Sequence, residues 1–110
     1  MDDPPAPIVG ELLKMSDLVT GFSPDNPKEN RPYVVIRVTG RRIRVVPQSS
    51  EGGRGVYIPD GTAGLEEGWF VPWSTTVSVR YAALRPSIGH LPRDPYLGDV
   101  IAQWRDRRGP

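Results

Sequence analysis

The segment Asn30-Arg31-Pro32-Tyr33-Val34-Val35-Ile36-Arg37-Val38 is followed after one turn by Ile43-Arg44-Val45-Val46-Pro47-Gln48-Ser49-Ser50, and these two runs decide the fold. Tyr33 to Val38 is almost continuously apolar, as a strand covered on both faces should be. Arg42 to Val46 alternates instead, with Ile43 and Val45 on one face and Arg42 and Arg44 on the other. A hairpin turning at Thr39-Gly40 brings Arg31, before the first strand, to the same end as Ser49 and Ser50, after the second. A cation beside two hydroxyl donors suits a phosphate. The arginine-bearing face must meet solvent or a ligand.

Outward from this hairpin the chain reads as a string of short strands. Residues 1 to about 7 are rich in Asp and Pro and are expected to be a disordered tail, and Ile8, Val9, Leu12 and Leu13 have the spacing of a short helix. Asp17 to Phe22 reads as a first strand, closed by the turn chemistry of Ser23 to Pro27. After the hairpin come the glycine loop Glu51 to Gly55, a short strand Val56 to Ile58, a turn at residues 59–64, and the apolar Trp69 to Trp73, which Pro72 marks as an edge or bulge. Thr75 to Tyr81 alternates like a strand. Asp94 and Pro95 have the chemistry of a helix start, and Leu97, Val100, Ile101 and Trp104 repeat at helical spacing. The expectation is a mainly β fold: a small barrel of five to seven short strands with a C-terminal helix, in one domain over residues 17–110 preceded by a tail over 1–16.

Composition narrows the function. The 110 residues include no cysteine and one histidine, which excludes disulfides, thiolate zinc sites and His-rich metal sites. No clustered carboxylates suggest a metal, and the glycines at 52, 53 and 55 open no helix, so neither a metal nor a nucleotide cofactor is expected. No apolar run approaches the roughly 18 to 20 residues of a membrane span, and the acidic start lacks a signal-peptide pattern, so a cytoplasmic protein is expected. The net charge of +1 hides an asymmetry: residues 1–30 carry six acids against two lysines, whereas residues 31–110 carry twelve arginines against seven acids. Such a basic half suits an anionic partner, and a genome that favours arginine over lysine gives the same composition, so the arginine content alone decides nothing.

The chain resembles the MazF/PemK endoribonuclease toxins of bacterial toxin-antitoxin systems. The resemblance lies in Arg31-Pro32-Tyr33-Val34-Val35, Val46-Pro47-Gln48-Ser49-Ser50, Ser87-Ile88-Gly89-His90-Leu91 and a C-terminal helix from roughly Asp94 to Arg105, in that order. The family's polar Gly-x-Glu-Gln loop before the Arg-Pro is replaced here by Pro24 to Asn30, in which Glu29 is the nearest counterpart. The resemblance implies an SH3-like barrel, a homodimer, a cognate antitoxin as partner, and metal-independent cleavage of single-stranded RNA by attack of a 2′-hydroxyl on its own 3′-phosphate. It implies Arg31 with Ser49 or Ser50 as stabilisers of the phosphorane and Glu29 as first choice for the base, with His90 second. Lys28, Arg42, Arg44 and Arg54 are the expected RNA-binding residues. The alternative, favoured by the missing loop, is a non-catalytic barrel that binds protein or nucleic acid.

Overall fold

The computed structural model describes residues 5–23, 25–51 and 53–108. The tail expected at the N-terminus lies outside the described residues up to Pro4, as do Pro24 of the first turn and Gly52 of the glycine loop. Among the described residues are seven strands: β1 (Glu11–Met15), β2 (Arg31–Thr39), β3 (Arg42–Ser49), β4 (Val56–Ile58), β5 (Gly68–Phe70), β6 (Thr75–Ser78) and β7 (Ser87–His90). They form a curled antiparallel half-barrel in the order β4-β5-β3-β2-β1-β7, with β6 also paired to β3.

The β2-β3 hairpin is the spine of the sheet, and its two apolar faces each meet a separate cluster. Tyr33, Val35, Ile43 and Val45 pack with Leu13, Met15, Val77 and Ala82, while Val34, Ile36 and Val46 pack with Leu12, Ile58, Phe70, Leu97 and Val100. This two-sided burial is what the uninterrupted apolar run of β2 requires. Burying each large side chain contributes about 1.5–3 kcal/mol relative to exposure. Midway, Val35 pairs with Val45 but Arg37 pairs with Arg44, so two residues of β2 oppose one step of β3. This β-bulge turns the β2 side chains beyond it to the opposite face.

The remaining strands differ from the sequence reading in four places. In place of the expected helix over Ile8, Val9, Leu12 and Leu13, a turn at Val9-Gly10 leads into strand β1, which holds Leu12 and Leu13 and pairs with β2 on one edge and β7 on the other, so the sheet includes residues before Asp17. The expected strand from Asp17 is a single helical turn, α1 (Asp17–Thr20), because Ser16 Oγ accepts the Leu18 N–H at 3.1 Å and Gly21 closes the turn at φ 85. Strand β6 stops at Ser78, whose hydroxyl accepts the Tyr81 N–H at 3.0 Å and starts α2 (Val79–Ala83). The C-terminal helix α3 (Gly98–Arg108) begins after a wide turn over Arg93–Leu97, and Asp94 has extended dihedrals instead of capping it. Leu97 and Val100 are buried against the sheet as their spacing predicts. Pro72 does interrupt a strand: residues 68–70 pair with the end of β3 and residues 75–78 with its start, with Val71 to Ser74 bridging the gap.

Among the described residues no helix is long and apolar enough to cross a membrane.

Candidate functional site

At the end of the hairpin away from its turn, Arg31 is buried and ion-paired. Its Nε donates to both carboxylate oxygens of Asp17 at 2.9 Å, its Nη2 to Oδ2 at 2.8 Å, and its Nη1 to the Gln48 carbonyl at 3.0 Å. Asp17 also accepts the Tyr33 hydroxyl at 2.7 Å and the Lys28 N–H at 2.9 Å. Burial by itself would raise the Asp17 carboxyl, but these donors outweigh it and hold the group below its ordinary value. Burial likewise pushes the Tyr33 hydroxyl upward, and that hydroxyl is shared with Thr20 Oγ1. Above the guanidinium lies Phe22, 4.8 Å from Cζ to ring centroid, and Phe22 stacks in turn on Trp73 at 5.1 Å.

Three of the five Arg31 N–H groups are used among the described residues, which leaves one on each Nη. Arg31 borders an open cavity of about 390 Å3 lined also by Lys14, Lys28, Gln48, Ser50, Glu66 and Glu67. The Gln48 side chain closes one wall by donating to the Glu66 carbonyl at 2.9 Å. Gly68 permits this, since a Cβ there would meet Ser49 O at 2.7 Å and the Gln48 amide nitrogen at 3.0 Å. Glu67 accepts the Tyr57 hydroxyl, which leaves Glu66 as the lining carboxylate without a side-chain hydrogen bond among the described residues.

The expected site residues separate into three groups. Arg31, Ser50 and Lys28 line the one cavity. Ser49 is outside its lining: its hydroxyl donates to the Glu51 carbonyl at 3.0 Å and accepts the Glu51 N–H at 3.2 Å, a local turn of the kind serine forms. Glu29, Arg54 and His90 are exposed and also outside it. Arg42 and Arg44 sit at the other end of β3. Arg42 donates to Thr76, and Arg44 to Ser74 Oγ at 2.9 Å.

No protein-family model, curated protein or solved structure matches this chain.

Sequence reasoning overlooked Asp17, Lys14, Gln48, Glu66 and Glu67. A signal for Asp17 was present: Ser16-Asp17 followed by Gly21 is the cap-to-cap pattern of a single helical turn, which would have turned Asp17 away from a strand register. No local pattern marked Glu66 or Lys14, because only the curl of the sheet brings them to Arg31.

Proposed function

We propose that the chain is a MazF/PemK-like endoribonuclease with an SH3-like barrel, acting on single-stranded RNA in the cavity beside Arg31. The observation that carries this reading is the convergence of Arg31, Lys28, Lys14 and the Ser50 hydroxyl on one open cavity with a carboxylate, Glu66, on its wall. In this reading Lys14 and Lys28 hold the flanking phosphates. The two remaining Arg31 N–H groups and the Ser50 hydroxyl donate to the oxygens of the phosphorane as charge builds there. Asp17 fixes the plane of the guanidinium and reduces its net charge. Glu66, which lines the cavity as Glu29 does not, takes the 2′-hydroxyl proton. The products would be a cyclic phosphate and a 5′-hydroxyl, formed by a homodimer held in check by an acidic antitoxin.

The test is incubation of the purified protein with a long single-stranded RNA in EDTA, followed by mapping of new ends. Cyclic-phosphate ends that fall away in Ser50→Ala, a change at an exposed hydroxyl outside the buried ion pair, support the reading, and an intact RNA refutes it. One observation favours a second reading, a non-catalytic binding barrel: the predicted phosphate cation is already neutralised by a buried carboxylate. Retained RNA binding without cleavage would select that reading.

A further inference from the structure

The bulge in β2 places Arg37 directly across from Arg44, and both guanidinium groups stand against the Trp104 ring, at 5.7 and 5.5 Å from Cζ to centroid. Two like charges paired across strands oppose each other. Neither is offset by a carboxylate, because the sole ion pair among the described residues is Arg31–Asp17. This pair of arginines is therefore an unmatched positive site beside an aromatic face.

Next to it lies an open cavity of about 220 Å3, lined by Trp73, Trp104, Ser74, Gln103 and Pro72 among others. It is smaller than the roughly 300–1,000 Å3 typical of pockets for drug-sized ligands, which limits an occupant to about one ring system. Arg44 reaches its rim through the bond to Ser74 Oγ. The Gln103 amide nitrogen donates to the carbonyls of Phe70 and Val71, both at 3.2 Å, and carbonyls accept only, so the orientation of the amide is fixed. Its oxygen is left as an acceptor without a partner among the described residues. The exposed Trp73 ring, a fixed acceptor and two guanidinium groups without a carboxylate match one nucleotide: a planar base on Trp73 and its phosphate at the arginines.

We propose that the cavity beside Trp73 is a subsite for one unpaired nucleotide, its base seated against Trp73 and beside Gln103, its phosphate held by Arg44 and Arg37. This rests on the reading of the chain as a single-strand RNA protein, and it extends that reading to a surface separate from the Arg31 cavity. Trp73 joins the two, since its other contact is the Phe22 ring over Arg31. An acidic peptide would satisfy the arginines but has no use for the Trp73 ring or the fixed Gln103 acceptor.

The experiment uses the full chain with short oligodeoxynucleotides, which lack the attacking 2′-hydroxyl and report binding alone. An octamer of thymidylate should quench tryptophan fluorescence, and an abasic octamer of equal charge should bind about 5- to 150-fold more weakly, the range expected for loss of one stacked base. Arg44→Gln should lower the slope of log affinity against log salt by about 0.7. Equal affinity for the thymidylate and abasic octamers overturns the subsite, and needs no variant that might misfold. Binding of a poly-glutamate peptide but neither octamer also overturns it and assigns the surface to a protein partner. Failure of RNA cleavage with base-dependent binding intact removes the nuclease reading and leaves the subsite standing.

Discussion

Arg31 and Asp17, 14 residues apart in sequence, form a two-pronged buried ion pair at 2.8–2.9 Å, and this contact ties α1 to the mouth of the hairpin. Each remaining oxygen lone pair and each exposed edge of the pair has a function: Tyr33 and the Lys28 N–H complete the carboxylate, while Gln48 and Phe22 cover the guanidinium. The pair costs desolvation, which the four donors around the carboxylate offset.

Removing one partner strands a buried charge. Asp17→Ala should destabilise the fold by about 3–5 kcal/mol, whereas the double change Asp17→Leu, Arg31→Met should cost much less, since no charge is left unpaired. Urea denaturation of Asp17→Ala and of the double variant measures the difference. A double variant as unstable as Asp17→Ala would contradict this account.

The lowered Asp17 carboxyl makes stability depend on acid. A folded value below the unfolded one, about 3.9, means the unfolded chain binds the proton more readily, so the contribution is present above about pH 4 and lost as pH falls through the folded value. The denaturation midpoint should therefore drop as pH falls below about 4. In Asp17→Asn that part of the drop should be missing, although the whole curve lies lower. Parallel curves for the two proteins would show that other carboxylates carry the acid transition.

The two adjacent serines should behave differently. Ser50→Ala removes a proposed donor to the phosphorane and should slow RNA cleavage by about 10²–10³-fold, the usual effect of losing one such donor. Ser49→Ala should leave the rate within a few-fold, because its hydroxyl is spent on the Glu51 turn. Single-turnover cleavage with purified variants checks both, and the reverse ranking would move the site.

Phe70 and Trp73 stand three residues apart but differ in kind. Phe70→Ala should cost about 3–5 kcal/mol, because the ring is fully buried among Leu12, Val46 and Ile58. Trp73→Ala should cost far less in stability and show instead in oligonucleotide binding, since its ring is 37% exposed. Thermal melts beside fluorescence titrations separate the two effects.

Periodicity in the sequence was enough to place the hairpin, its two-sided burial and the common end of Arg31 and Ser50. Those features depend on residues adjacent in the chain: β-branched side chains set the strand, Gly40 in the left-handed region sets the turn, and alternation sets the faces. The interruption at Pro72 was legible for the same reason, a missing N–H donor. What the pattern left open was the partner of each face. An apolar pair such as Leu12-Leu13 fits a helix or a central strand equally well until β2 and β7 lie on either side of it. Arg31 has the same residues around it in sequence whether it faces solvent or a carboxylate, and α1 decides by carrying Asp17 underneath it. The face of Arg37 was likewise fixed by a bulge of one residue, which no local signal announces. Tertiary structure settled these points because pairing across the sheet, unlike strand formation, is an agreement between distant segments.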